Sequence, residues 1–113
     1  MHELSIAREI IAIVDAEMEK GHFDRVKAIH LRIGALSGVD PEALTFGFEA
    51  ATMDTRLGGA KLVIQQVPVR ANCRACGHEF TVEDLVFLCP QCQSIDVDVT
   101  QGQEMLIDHL VVD

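Results

Sequence analysis

The chain opens with the hydrophobic period of a helix. Over residues 3–20 the apolar side chains recur at three- and four-residue spacing, with charged side chains largely on another side, which predicts an amphipathic helix. The periodic residues are Leu4, Ala7, Ile11, Val14 and Met18, flanked by Ile6, Ile10 and Ile13. Gly21 follows the last of them and suits a left-handed stop at the C-terminal end of the helix.

Residues 26–33 change to a period of two. Ile29, Leu31 and Ile33 share one face of an extended segment, while His30 lies on the other face. This alternation predicts a half-buried strand.

A second helix is predicted after Asp40. The Asp40 side chain offers an N-cap acceptor, Pro41 suits the first helical position, and Glu42 places a carboxylate near the positive end of the helix dipole. The helix should end near Asp54. The residues expected to face the core are Leu44, Phe48 and Ala51, with Phe46 at its margin.

Two further runs, 60–67 and 104–112, are rich in Leu, Val and Ile and predict strands, with Pro68 marking the end of the first. The order of these elements predicts an α+β fold, in which a small three-stranded sheet carries two helices on one face and a cysteine-rich subdomain is inserted. The expected domains are 1–69 together with 101–113, and 70–100.

All the cysteines lie in the insert, as two C-x-x-C pairs with twelve residues between them. They are Cys73, Cys76, Cys89 and Cys92. Each pair can fold into a tight knuckle, for which Gly77 permits the positive φ, and together they present four thiolates to one zinc ion. A complete sulfur shell leaves no open position, so this zinc-ribbon site should be structural. Redox chemistry is the alternative, although a thioredoxin-like pair is normally single.

The chain is acidic, with a formal net charge of −9 over 113 residues. Residues 70–100 contain only Arg70 and Arg74 as basic side chains, and the chain has no Trp or Tyr. Nucleic-acid modules need cationic groups against phosphates and often aromatic platforms, so no nucleic-acid partner is expected. Because no signal peptide opens the chain and no apolar run approaches about 18 residues, we expect a cytoplasmic protein without a membrane partner.

The first three residues offer a second candidate for metal chemistry. A bulky residue at position two tends to block removal of Met1, which would keep the terminal amine beside the His2 imidazole and the amides of His2 and Glu3. These nitrogens can form the planar four-coordinate set that Ni(II) and Cu(II) prefer. An ordinary solvated terminus is the alternative, and composition alone favours it.

Three motifs support a resemblance that spans essentially the whole chain. They are M-H-E-L-S at the start, G-x-D-P-E-A-L at 38–44, and C-R-A-C-G-H with C-P-Q-C near the C-terminal third. With them the chain resembles the HypA/HybF family of hydrogenase maturation factors. The resemblance implies a nickel-incorporation metallochaperone whose site uses His2, with the Met1 amine, Glu3 and Asp40 nearby.

The same resemblance implies that the domain of 1–69 and 101–113 binds nickel and that 70–100 is a structural zinc domain. It also implies delivery of nickel, with a HypB-type GTPase, to the large subunit of [NiFe]-hydrogenase and in some organisms to urease. Some archaeal relatives carry a longer insertion between the cysteine pairs, so any function of such an insertion is absent here. We expect a monomer or a weak homodimer.

The remaining histidines are weaker candidates. His78 flanks the first cysteine pair and could exchange metal there, although a surface role explains it better; His30 and His109 lie on predicted strands and His22 in a turn. No Ser-His-Asp order, phosphate loop or carboxylate pair stands out, so no enzyme is expected. The competing functions are a zinc-ribbon interaction module without nickel, a nucleic-acid-binding ribbon and a C-x-x-C oxidoreductase.

Overall fold

A computed structural model describes residues 2–113 of the chain, which form two α-helices, one short 3₁₀ helix and six strands. The helices are α1 (His2–Gly21) and α2 (Pro41–Thr52), and the 3₁₀ helix is Ala35–Ser37. The strands are β1 (Val26–Gly34), β2 (Lys61–Val67), β3 (Arg70–Cys73), β4 (Glu79–Thr81), β5 (Val97–Gln101) and β6 (Met105–Val112). One sheet has the order β2-β1-β6 and the other β4-β3-β5. The predicted α+β class with a four-cysteine insert is confirmed.

The chain divides into two compact units. Unit 1 contains residues 2–32, 39–65 and 106–113, and unit 2 contains 33–38 and 66–105. The domains predicted from the sequence divide the chain at other residues, and their separate nickel and zinc functions stay a prediction.

Helix α1 buries one stripe of apolar side chains. The stripe consists of Ile6, Ala7, Ile10, Val14 and Met18. The predicted stripe contained Ile11, which is only half-buried. Ile10 is buried instead and continues the row of four-residue steps through Val14 and Met18.

The C-terminal end of α1 corrects a second prediction. The left-handed residue is His22, with φ 57°, whereas Gly21 is still helical. The N–H of Phe23 donates to the carbonyl of Met18 at 3.3 Å, which is the six-to-one bond of a Schellman ending. A Cβ atom at Gly21 would lie 2.6 Å from Cε1 of Phe23, so a larger residue there needs the Phe23 ring to shift.

Helix α2 begins as predicted. Oδ1 of Asp40 accepts hydrogen bonds from the backbone N–H groups of Glu42 at 3.0 Å and Ala43 at 3.4 Å, and Pro41 is the first helical residue. This cap supplies acceptors for two N–H groups that have no partner inside the helix.

The buried face of α2 is also largely as predicted. Leu44 and Phe48 are fully buried and Ala51 is half-buried. Phe46 was expected at the margin of the core, but 74% of it is exposed. The helix ends at Thr52, whose hydroxyl donates to the carbonyl of Phe48 at 2.9 Å.

The central strand of the first sheet alternates as predicted. Ile29, Leu31 and Ile33 in β1 are buried, and His30 between them is half-buried. The neighbouring strand β2 ends directly before Pro68, which has no N–H to donate to a ladder. Among residues 2–113 no helix combines the length and apolar character needed to cross a membrane.

Unit 2 is built on β3, which pairs antiparallel with both of its neighbours. Ala71 in β3 lies opposite Phe80 in β4 and Val99 in β5. The buried cluster of this unit consists of Val69, Ala71, Cys73, Phe80, Val82 and Cys89. The sequence between the two cysteine pairs, GHEFTVEDLVFL, is compatible with a short hairpin strand, and β4 lies within it. Strands β3 and β5 are short and rich in polar residues, and the hydrophobic pattern did not predict them.

Residues 33–38 belong to unit 2 although β2 and α2 separate them from the rest of it in sequence. The N–H of Leu36 donates to the carbonyl of Gly102 at 2.8 Å, and the Leu36 side chain packs against the buried cluster. Gly102 has φ 113°, and a Cβ atom there would lie 2.8 Å from Cα of Val69. The close approach of these backbones therefore requires glycine.

Candidate metal centres

The four cysteines of unit 2 surround one point. Their sulfur atoms all lie within 4.8 Å of one another. The Sγ atoms of Cys73 and Cys92 are 3.5 Å apart, and those of Cys76 and Cys89 are 3.6 Å apart. A tetrahedral zinc ion with Zn–S bonds of about 2.3 Å has S···S edges of about 3.8 Å. The four thiols, none of which is in a disulfide, therefore fit a metal ion of this kind.

Equivalent backbone hydrogen bonds close the two cysteine knuckles. The N–H of Cys73 donates to the carbonyl of His78 at 2.9 Å, and the N–H of Cys89 donates to that of Ser94 at 3.0 Å. The two loops thus close with the same hydrogen-bond pattern, and their sulfurs converge on one site.

The residue after each second cysteine has a positive φ in both knuckles. Gly77 has φ 80° and Gln93 has φ 66°, and each donates its N–H back to the first cysteine of its pair at 2.8 Å. The positive φ predicted for Gly77 is confirmed. That of Gln93 was missed, because a glutamine carries no sequence signal for the left-handed region.

The first cysteine of each pair, Cys73 and Cys89, is buried, whereas Cys76 and Cys92 are exposed. Burial raises the pKa of the Cys89 thiol, but the backbone N–H groups of Cys92 and Gln91, together with the neighbouring thiols of Cys76 and Cys92, outweigh it and lower this pKa to about 6. The same N–H of Cys92 lies 3.5 Å from the Cys89 sulfur. Because a metal binds the thiolate, these N–H groups favour the form of Cys89 that a zinc ion needs.

Three predicted nickel residues adjoin one another in unit 1. Oε2 of Glu3 lies 3.8 Å from Nδ1 of His2 and accepts a hydrogen bond from the backbone N–H of Asp40 at 3.1 Å. One carboxylate oxygen thus connects the first turn of α1 to the N-cap of α2. The His2 side chain is 57% exposed, which leaves its imidazole accessible to a metal ion.

The hydrogen bond from Asp40 also has an electrostatic consequence. It is the main reason that the pKa of the Glu3 carboxyl is lowered from its ordinary value of 4.5. The N–H of Glu3 itself and the His2 imidazole act in the same direction, and burial opposes them. The carboxylate beside His2 is therefore ionised at neutral pH.

The Met1 amine, which the sequence assigns to the nickel site, lies outside the described residues. The helix that follows begins at His2. The first N–H groups of a helix have no carbonyl acceptor within it, so the amides of His2 and Glu3 are not needed by the helical ladder.

Two histidines for which the sequence indicated no contact with each other form a pair. The rings of His30 in β1 and His109 in β6 stack with centroids 4.1 Å apart, and Oδ2 of Asp108 lies 2.9 Å from Nδ1 of His109. Hydrophobic alternation gives the face of each strand but not the register between strands, so this pair had no clear signal. His78 stacks on Phe80 at 6.0 Å, and its exchange of metal stays a prediction.

Comparison with known proteins gives one consistent result. The family model described as hydrogenase/urease nickel incorporation, metallochaperone, hypA matches residues 1–112. The hydrogenase maturation factor HypA of Geobacter metallireducens is 42% identical over 113 residues and covers 100% of both chains. That of Desulfitobacterium hafniense is 38% identical over 113 residues, which are 100% of this chain and 99% of its own.

Solved structures agree. The solution structure of the Ni metallochaperone HypA from Helicobacter pylori has a TM-score of 0.67 at 27% identity, covering 97% of this chain and 96% of that one. A second solution structure, of a HypA protein, has a TM-score of 0.73 at 28% identity over 99% of this chain and 96% of that one.

The α+β fold with its four-cysteine centre defines a small metal-handling accessory protein of enzyme maturation. Within that class the chain belongs to the HypA family of nickel-incorporation metallochaperones. The family resemblance seen in the sequence is confirmed.

Proposed function

We propose that this protein binds Ni(II) at its N-terminus and delivers it during maturation of [NiFe]-hydrogenase, and in some organisms of urease. The observation that carries this proposal is the single Glu3 oxygen that lies beside the His2 imidazole and accepts the Asp40 N–H. It places an ionised carboxylate and an accessible imidazole together at the start of the chain.

The donor set suits a transferable ion. The Met1 amine, the His2 imidazole and the amides of His2 and Glu3 supply nitrogen ligands for a planar site, which Ni(II) prefers and Zn(II) does not. Glu3 and Asp40 add negative charge near the cation. Because His2 is more than half exposed, an acceptor protein can reach the ion without unfolding the chain.

The second ion has a different role in this proposal. A structural Zn(II) bound by Cys73, Cys76, Cys89 and Cys92 stabilises unit 2, because four thiolates leave no position for water or substrate. The protein then works by binding and transfer in the cytoplasm, not as an enzyme. Its partners are a HypB-type GTPase and the hydrogenase large subunit, and it is a monomer or weak homodimer.

The proposal is tested by calorimetric nickel titration of untagged protein. Wild type is compared with His2→Ala and with a variant that has one residue added before Met1, which keeps the imidazole but moves the amine away. His22→Asn is the matched control, since it removes an exposed histidine of the same unit and tolerates its positive φ.

We expect both N-terminal variants to lose nickel affinity by tenfold or more, about 1.4 kcal/mol, and the control to bind as wild type does. Equal binding by all four proteins would refute the terminal site. That result, with zinc as the only tightly bound metal, would favour a zinc-ribbon interaction module.

A further inference from the structure

A turn in unit 2 holds two consecutive non-glycine residues in the left-handed region. Asp84 has φ 53° and Leu85 has φ 59°, and the N–H of Val86 donates to the carbonyl of Glu83 at 3.0 Å. Two central residues with positive φ and this hydrogen bond are the features of a type I′ turn. Asn-Gly and Asp-Gly are preferred there, because L side chains are strained at positive φ. Leucine is therefore an unfavourable residue for the second central position.

Burial does not compensate for this strain. Leu85 is 65% exposed, Val86 is 56% exposed and Leu88 is 39% exposed. Only Phe87 of the same segment packs against the buried cluster of unit 2. Leu85 thus combines backbone strain with solvent exposure, and neither stabilises the fold. Backbone strain that packing does not offset clusters at binding and catalytic sites.

The exposed residues are nevertheless held in place. Before the turn, the N–H of Val82 donates to the carbonyl of Val69 at 2.8 Å, and after it Phe87 packs against the cluster and Cys89 is buried in its knuckle. The segment from 83 to 88 is therefore fixed at both ends. A preordered apolar contact loses little conformational freedom on binding.

The charges of unit 2 indicate which kind of partner surface this turn would contact. Glu79, Glu83 and Asp84 form no ion pair within residues 2–113, whereas Arg74 pairs with two aspartates and Arg70 donates to a threonine hydroxyl. The unit contains six carboxylate residues and these two arginines, a formal charge of 2 − 6 = −4. A complementary surface is apolar and bordered by Lys or Arg side chains.

We propose that Leu85 and Val86, called here the turn contact, dock a maturation partner whose surface offers an apolar pocket bordered by basic side chains. This inference rests on the proposed function, because it takes the partner from the proteins that receive or process the nickel ion. It assigns to unit 2 a role in recognition that is separate from metal binding at the N-terminus.

The test uses the full zinc-loaded chain and two purified probes from the same organism, the HypB-type GTPase and the hydrogenase large-subunit precursor. Leu85→Gly removes the apolar side chain and relieves the positive φ. Gln93→Gly is the matched control, because it relieves a positive φ in the same unit without removing an apolar contact. Both variants should have a higher thermal unfolding midpoint than wild type.

The two variants should differ in binding. Leu85→Gly should weaken binding of a probe about tenfold or more in calorimetry, while Gln93→Gly binds it as wild type does. Glu83→Lys should weaken the same complex more at low than at high salt. If Leu85→Gly binds both probes with the affinity of the wild-type protein, the proposal is overturned. It is also overturned if the wild-type protein binds neither probe. Nickel titration of the same samples separates this failure from failure of the N-terminal site, since Leu85→Gly leaves His2 and Glu3 unchanged.

Discussion

The backbone N–H of Asp40 donates to Oε2 of Glu3 at 3.1 Å, across 37 positions of the chain. The side chain of the same Asp40 caps α2 through its Oδ1. The main chain of Asp40 therefore binds Glu3, whereas its side chain caps α2. Substitution of the Asp40 side chain should alter the helix cap and leave the hydrogen bond to Glu3 in place.

Asp40→Ala should destabilise the protein by about 1 kcal/mol, because two N–H groups at the start of α2 lose their acceptor. Asp40→Asn keeps a capping oxygen and should stay within about 0.5 kcal/mol of wild type. Urea unfolding measures both. A comparison of nickel affinity in Asp40→Asn and wild type then tests the carboxylate charge alone, and equal destabilisation of the two variants would contradict the capping role.

The depressed pKa of Glu3 predicts a specific pH dependence. Because the pKa is lower in the folded chain than the ordinary 4.5, Glu3 stabilises the fold above about pH 4.5. That contribution is lost as the pH falls through the lower folded-state pKa. Carbon-detected NMR titration of the metal-free protein should give a Glu3 midpoint below 4.5, and Glu3→Gln should reduce the acid sensitivity of unfolding. A midpoint at or above 4.5 would contradict the hydrogen bond from Asp40.

Gln93 and Gly77 occupy equivalent knuckle positions, but only one of them is glycine. Gln93→Gly should stabilise the zinc-loaded protein by about 1 kcal/mol, because a left-handed residue with a side chain is strained by roughly that amount. Gly77→Ala should destabilise it by about 1–2 kcal/mol for the same reason. Chemical unfolding at saturating zinc measures whether the two changes in the free energy of unfolding have opposite signs. If Gln93→Gly is destabilised, the contacts of the glutamine side chain contribute more to stability than relief of the positive φ does.

Loss of the sulfur-bound metal should unfold one unit and spare the other. Cys73 and Cys89 are part of the buried cluster of unit 2 as well as candidate ligands, so chelation of the metal or Cys73→Ser removes both metal and packing there. Aromatic NMR signals of Phe80 should lose their dispersion while those of Phe48 keep theirs. Simultaneous collapse of both signals would show that the units do not fold independently.

Much of the fold could be predicted because it depends on local periodicity. The buried alternation of Ile29, Leu31 and Ile33 follows from the pleat of one strand, and the Asp40 cap follows from side-chain chemistry at one position. The cysteine spacing is likewise a local signal, and the four sulfurs that it assigns to one site do lie within 4.8 Å of one another.

The features that were missed depend on contacts distant in sequence or on unfavourable local conformations. Ile10 and Ile11 are equally apolar, and only packing decides which is buried. His22 takes the left-handed position at the end of α1, and the ring of Phe23 lies beside Gly21, and no local propensity indicates either feature. The proximity of Glu3 and Asp40 was indicated only by the family resemblance, since the two residues are 37 positions apart in the sequence.

Residues 33–38 belong to unit 2 although they are distant in sequence from the rest of it, and this limits how the protein can be divided or recombined. A gene fragment that encodes only the stretch around the cysteines would lack Leu36, which packs against their buried cluster, and the acceptor at Gly102 would lose its donor. Any chimera that transplants the sulfur centre into another host must therefore import two separate pieces of chain. Homologous recombination within this part of the gene should be tolerated best when both pieces come from the same parent, because the Leu36 side chain packs against the cluster of the other piece.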